Sequence, residues 1–438
     1  MTAWRFFLIL VILAGASVGW LLLGTSVYVR TSQLQSHLGA QVDSLWGPAN
    51  LAQSAPYVEP VQGQGPRTEP LKSNLAVHLD HENRRKGLLW FSTYTVEFNA
   101  EYGVSAPPGG QAMRFVFPLP ADVPFMDNLT LAVDGQPRDV DTAQTAQGLQ
   151  TEIPADGQEH VIAVTYRTRG RDQWTYLPAG GAVQTRSDNI NMLDRAPPPA
   201  NPDVRPAHVR NFLLTLTTNF TDINYPEGSM SPSEKAEPMG GGLMAVWEIQ
   251  DSRTRQAITV VPPARPDAGP IAARMAFWAP VGLFFFFTVL FTIMLLKRVP
   301  LHPMHYLLVS AAFFAFHILL AYLVDHVDIQ VGFWISAAVS VLLVVSYMRL
   351  AAGARFAVLY AGLAQLVYLV GFSYAFFFVG YTGLSIVIVA ILTLLVIMMA
   401  TGRVDWNEVF KKKPPARAGE DGWASVAPAP PSAPPSAR

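Results

Sequence analysis

Residues 30–273 are a long polar stretch patterned like β-strands, and they sit between one apolar segment at the N-terminus and a series of apolar segments toward the C-terminus. A water-soluble domain framed in this way has to fold on one side of a bilayer while its flanks cross it. The first flank, 6–29, has no charged residue and is long enough as a helix to cross a hydrocarbon core of about 30 Å at about 1.5 Å per residue. After Arg274 the chain offers apolar segments near 277–296, 304–324, 331–348, 356–378 and 382–401, each of spanning length. The expected organisation is an N-terminal stub (1–5), an anchor helix (6–29), an outer domain (30–273), a five-helix bundle (274–403) and a tail (404–438).

Positive residues are retained on the cytoplasmic side of short loops, so their distribution predicts orientation. With the N-terminus inside, the inner turns hold Lys297 and Arg298, Arg349 and Arg355, and then Arg403 with Lys411–Lys413. The opposite turns hold none: 325–330 carries Asp325 and Asp328, and 378–382 is uncharged. Both termini are expected in the cytoplasm and 30–273 on the outer face, with Arg30 and Arg274 outvoted by the other turns. The first segment is longer than the apolar core of a signal peptide, and Ser26-Val27-Tyr28 is a poor cleavage site, which favours an uncleaved anchor.

Charged residues make up 14% of the chain, against about a quarter in soluble globular proteins. A net charge of −1 gives no electrostatic case for nucleic acid. The absence of cysteine excludes disulfides, zinc–thiolate sites and thiol nucleophiles. The outer domain must therefore be held by its own core, and it is large enough to form one.

That domain reads as all-β and sandwich-like. The run Leu88–Phe98 is dense in aromatic and β-branched residues and alternates from Tyr94 onward. Similar runs lie at 113–117, 129–133, 160–166, 174–177, 212–218, 243–249 and 257–261. They are separated by turn-forming strings such as Asp134-Gly135, Asp156-Gly157 and Gly240-Gly241-Gly242. Many short strands with Gly/Pro turns favour a sandwich over a doubly wound fold. The Pro-rich segments 52–70 and 196–206 are expected to be irregular surface connections, and the Pro-rich tail to be disordered.

Three strings in the helical region carry a family resemblance: HPMHYLLV at 302–309, DHVDIQVGFWISA at 325–337, and RVDW at 403–406. Over 274–406 the chain resembles the CreD family of inner-membrane proteins, which is associated with colicin tolerance and envelope integrity in Gram-negative bacteria. His302, Pro303, His305, Tyr306, Asp325, His326, Arg403, Asp405 and Trp406 are the motif positions, expected to serve structure or interaction. The family commonly has an amide at the place of His305, an aromatic after RVDW where this chain has Asn407, and a Trp-Pro-Phe-type signature that 30–273 lacks. The resemblance implies a multi-pass protein of the bacterial inner membrane with a periplasmic outer domain. The family has no established reaction to carry over.

Ionisable groups at depth in a bilayer are costly and so mark function. Here His317 and Gln365 are the main polar side chains at depth, with no acidic or basic partner at helical spacing, and a neutral, hydrogen-bonded histidine is the expectation. His302 and His305 have i, i+3 spacing, but the loop supplies no third metal ligand. Asp325, His326 and Asp328 form a charged turn, read as solvated, with a cation or lipid headgroup site as the alternative. Arg403, Asp405 and Trp406 suit interfacial anchoring, and Gly15 and Gly19 have the spacing of close helix packing. The outer domain has no nucleophile elbow, zinc-protease helix, phosphate loop or dinucleotide fingerprint, so neither catalysis nor a cofactor is expected. Two functions fit: a non-enzymatic envelope protein embedded in the lipid bilayer whose outer domain contacts an envelope protein or polymer, or a transporter or lipid-handling protein with that domain as receiver. The absence of mid-depth polar machinery and of internal repeats favours the first.

Overall fold

The computed structural model describes residues 3–61, 66–108, 112–178, 206–237, 241–297, 299, 301–378 and 380–402 of the chain. The Pro-rich segment 196–206, except its last residue, and the tail from 403, with Arg403, Asp405 and Trp406, lie outside them. Two compact units result: Met1–Leu22 with Met275–Leu320 and Gln330–Arg438, and Leu23–Arg274 with Ala321–Ile329.

The described part of the first unit is helical. Among the described residues of the whole chain, six helices are long and apolar enough to cross a membrane, Phe6–Leu45, Ala268–Lys297, Pro303–Leu323, Ile329–Ala352, Ala354–Phe377 and Thr382–Thr401, close to the expected segments. The full N-terminal helix, α1, is Ala3–Leu45. It continues well past the expected anchor limit at 29, and the reason lies in the second unit. Leu34, Leu38, Val42 and Trp46 recur every fourth residue and pack against Leu89 and Phe91, so burial of one stripe extends the helix beyond its apolar stretch.

The second unit is the β domain, which follows α1 and precedes the second membrane helix. Its strands are β1 (Asn50–Ser54), β2 (Tyr57–Pro60), β3 (Lys72–Lys86), β4 (Leu89–Ser105), β5 (Met113–Phe117), β6 (Met126–Val133), β7 (Gln136–Arg138) and β8 (Gln144–Thr145). Then come β9 (Gly148–Ile153), β10 (Glu159–Arg171), β11 (Gln173–Leu177), β12 (Ala207–Thr218), β13 (Glu234–Ala236), β14 (Met244–Thr254) and β15 (Ile258–Val260). One turn of helix, α2 (Val140–Ala143), is capped by the Asp139 side chain. An eight-stranded sheet has the order β13-β14-β12-β3-β4-β10-β6-β7, and two smaller sheets are β1-β11-β15 and β2-β5-β9-β8.

Period-2 alternation builds the core. Leu75, Val77 and Leu79 of β3, Tyr94, Val96, Phe98, Ala100 and Tyr102 of β4, and Ile162, Val164 and Tyr166 of β10 are buried on one face of the long sheet. The same cluster takes in Leu51, Trp174 and Ile258 from one small sheet and Phe115, Phe117 and Leu149 from the other. The layers are thus sandwich-like, with Phe98 stacked on Tyr166 at 4.8 Å and tilted against Phe117 at 5.9 Å. Within this core, Gln53 is fully buried and satisfied, accepting from the Tyr166 hydroxyl at 2.7 Å and donating to Pro118 O at 2.9 Å.

The expectation that 52–70 is an irregular surface connection is corrected: β1 and β2 both fall within or across it. Leu51, Gln53 and Val58 alternate inward, and the prolines are placed where they cost no ladder bond, Pro56 between the strands and Pro60 at a strand end. β3 was not expected as a strand at all. Its second half is strongly charged, and it stays extended because the hairpin with β4 is in register from Lys72↔Gly103 to Lys86↔Leu89, far past its last core residue. Asp134-Gly135 makes the predicted two-residue turn between β6 and β7, both residues at positive φ, 51° and 76°.

Candidate functional site

In the helical unit, polar groups meet where Ala354–Phe377 packs against α5 (Ile329–Ala352) and α4 (Pro303–Leu323). Gln365 Nε2 donates to Ser340 Oγ at 2.8 Å, and Ser340 Oγ donates to Ala312 O at 2.7 Å. Both side chains are fully buried, so this relay ties three helices where no water competes. Gln365 Oε1 and, one turn from Ser340, Ser336 Oγ have no hydrogen-bond partner among the described residues. The backbone around Gln365 is also unusual, because π-helical turns at Ala357–Gly362 and Leu366–Gly371 flank it. At Gly282 of the Ala268–Lys297 helix, which we label α3, an added Cβ would lie 2.6 Å from Tyr368 O, so glycine allows the backbones to approach.

His317 lies elsewhere in the same unit. Its Nδ1 is 3.3 Å from Phe313 O, its Nε2 has no partner among the described residues, and the rings of Trp20, Phe313 and Phe316 surround it at 5.8, 6.3 and 4.8 Å. Gly19 sits in ordinary contact with Phe314, whereas Gly15 faces open space.

The motif histidines are not brought together. His302 Nδ1 accepts from the Met304 amide at 3.3 Å, while His305 Nδ1 pairs with the Tyr347 hydroxyl at 2.6 Å. Pro303 is the first residue of α4, where its missing N–H costs nothing. Tyr306 is fully buried, edge-on to Phe287 at 5.1 Å.

The turn after α4 differs from the solvated reading. Asp325 forms an ion pair with Arg30 at 3.0 Å, and Arg30 also donates to Ala321 O at 3.0 Å. The arginine that ran against the charge asymmetry thereby neutralises the turn's carboxylate and closes the end of α4. His326 contributes its amide, donated to Leu323 O at 2.9 Å.

Two charged clusters in the β domain had no signal in the sequence. Arg171, at the end of β10, is largely buried and bound by both Asp43 of α1 and Asp172, with Phe91 under its guanidinium at 5.7 Å. His160, at the start of β10, is buried between two turn carboxylates, Asp134 at 2.8 Å and Asp156 at 3.1 Å. The Asp134 hydrogen bond, aided by Asp156, raises the His160 pKa against the opposing effect of burial. In return His160 lowers the Asp134 pKa, and the Gln158 amide followed by His160 lowers that of Asp156.

A raised histidine pKa stabilises the fold below the ordinary histidine value of about 6.5, and that contribution is lost as pH climbs through the folded value. The two lowered carboxylates contribute above their ordinary range and lose that contribution as pH falls through their folded values. The unfolding midpoint of the β domain is therefore expected to decline as pH rises above about 6.5, through the raised folded value of His160. His160→Gln should flatten that limb, as measured by tryptophan fluorescence melts across pH.

Comparison with known proteins adds a family relation over the helices. The solved structure of Legionella pneumophila aminopeptidase A in complex with aspartic acid aligns at 13% identity over 47% of this chain and 23% of that one, with a TM-score of 0.25, a likeness too slight to carry an argument. A search of curated proteins finds no match. Residues 270–407 match the family model described as inner membrane protein CreD. With six apolar helices among the described residues and a β domain between the first two, the chain is a multi-pass membrane protein whose residues 270–407, about a third of its length, are similar to that inner-membrane family.

Proposed function

We propose that this is a non-enzymatic protein of the bacterial inner membrane, with both termini in the cytoplasm and the β domain in the periplasm. It contributes to envelope integrity and stress tolerance by holding an envelope protein or polymer against that domain. The observation that supports this reading is the free face of the eight-stranded sheet. One face makes the core, while the other carries aligned rows that are mostly polar: Thr215, Asn99, Thr165 and Thr130, interrupted by Ala76, in one register, and Thr217, His78, Glu97 and Arg167 in the next. His78 bonds Thr217 at 2.9 Å, and Arg167 stands 3.7 Å from Glu97. A broad sheet face of hydroxyls, amides and paired charges is chemistry for docking an extended polar partner.

The alternative, transport or lipid handling, draws on the unpaired Gln365 Oε1 and Ser336 Oγ beside the π-helical turns. One experiment separates them. Removing 72–263 while retaining all six helices should reproduce the detergent, colicin-like toxin and cell-wall antibiotic phenotype of full deletion. A wild-type phenotype from that truncation would overturn the proposal. The same would follow if Gln365→Leu alone, in normally accumulating protein, reproduced full deletion, and that result would favour transport.

A further inference from the structure

Within the β domain an aromatic ring and two cations from separate parts of the chain share one face of a hairpin, Arg85 donating its Nε to Gly87 O at 3.0 Å in the turn. Trp90 is the second residue of β4, and its amide donates to Asp267 Oδ1 at 2.9 Å. Across the hairpin Trp90 pairs with Arg85, which places both side chains on the same face of the ribbon. Arg265 reaches the ring from the segment before α3, its guanidinium 4.5 Å from the ring centroid and its backbone amide 3.3 Å from Asn83 Oδ1. Arg85 and Arg265 are both exposed, and among the described residues neither forms a salt bridge. Lys86 is a further cation one residue on, facing the other side of the ribbon, and Arg84 on that side is already paired with Glu82 at 2.8 Å. The acid in the cluster, Asp267, is buried and turned inward onto the Trp90 amide.

The helices fix the depth of this cluster. Asp267 immediately precedes α3, and the next turn packs so closely on α1 that a side chain at Gly269 would collide with Thr31. Thr31 follows the apolar stretch of α1 by two residues, about 3 Å of helix, and Asp267 precedes the continuous apolar run from Met275 by eight, about 12 Å. Those two distances bracket the headgroup layer, which adds about 5–8 Å beyond the hydrocarbon on each side. Tryptophan is favoured at that level, and guanidinium groups bind phosphate in bidentate fashion.

We propose that Arg85, Arg265 and Trp90 form a binding site for the phosphate of an anionic phospholipid, seating the β domain on the surface of its own membrane. The two guanidinium groups grip the phosphodiester, the Trp90 ring lies at headgroup level, and Lys86 adds long-range attraction. The site holds whichever side of the membrane the domain occupies, so it stands apart from the orientation proposed above.

The test uses the full chain purified in mild detergent, with phosphatidylglycerol, phosphatidylcholine and inorganic phosphate as separate additives. Native mass spectrometry should show phosphatidylglycerol retained in preference to phosphatidylcholine, and inorganic phosphate should not displace it. Arg85→Gln/Arg265→Gln should weaken retention about tenfold or more, since two charge-assisted contacts are lost. Equal retention of both lipids, displacement by free phosphate, or an unchanged affinity in the double variant would overturn the proposal. In the unmodified protein, a phosphatidylglycerol with a photoreactive headgroup should label peptides spanning 83–90 or 262–268. Labelling confined to other peptides would overturn it even if the variant failed to fold.

Discussion

Arg171→Met is expected to destabilise the β domain by about 2–3 kcal/mol and to expose 30–50 to proteolysis. The Arg171 side chain is 13% exposed and binds Asp43 and Asp172, with a second contact to Asp43 at 3.1 Å. Its ring neighbour Phe91 belongs to the cluster that receives Leu34, Leu38 and Val42 of α1. Loss of the guanidinium leaves two carboxylates facing each other without a counter-charge, and methionine replaces only the aliphatic packing. A fully buried pair would cost about 3–5 kcal/mol when broken. The smaller figure follows because Asp43 and Asp172 stay 38% and 47% exposed, so water recovers part of the loss. Denaturant titration of the full protein, followed by tryptophan fluorescence, measures the change, and Arg171→Lys should lose less because one charge contact survives. A midpoint unchanged in Arg171→Met would mean that α1 is held by its apolar stripe alone.

This cluster also marks where reading the chain by pattern reaches its limit. Runs such as Met113–Phe117 and Leu89–Phe98 were legible because every second side chain enters one core, and the apolar spans were legible because a bilayer demands length and continuity. The extension of α1 to Leu45 was not, because Leu34, Leu38 and Val42 stand among serines, glutamines and a histidine, and their burial depends on Leu89 and Phe91 far along the chain. β3 was hidden by its charged second half, whose extended form is dictated by β4 and not by its own composition.

The polar sites were less legible still, since each depends on a partner at a distance no local spacing reveals. Arg30 finds Asp325, Gln365 finds Ser340, and His160 finds Asp134. His302 and His305, which spacing did bring forward, turn to different partners. A histidine pair on one helical turn meets at a ligand only if a third group arrives from another element, and Tyr347 instead takes up His305.

The proposal that the β domain holds an envelope partner rests on the domain lying across the membrane from both chain ends. Because the chain has no cysteine, a single introduced thiol reports its own side of the membrane. Ser105→Cys, at the end of β4, and Asp328→Cys, in the turn before α5, are both at exposed positions. Ala352→Cys is at the last residue of α5, and Ser425→Cys lies in the Pro-rich tail. In cells with a permeabilised outer membrane and an intact inner membrane, a membrane-impermeant maleimide should label the cysteines at 105 and 328 and spare those at 352 and 425 until the inner membrane is opened. Labelling of 352 and 425 with protection of 105 and 328, or equal labelling of all four in intact cells, would contradict the account.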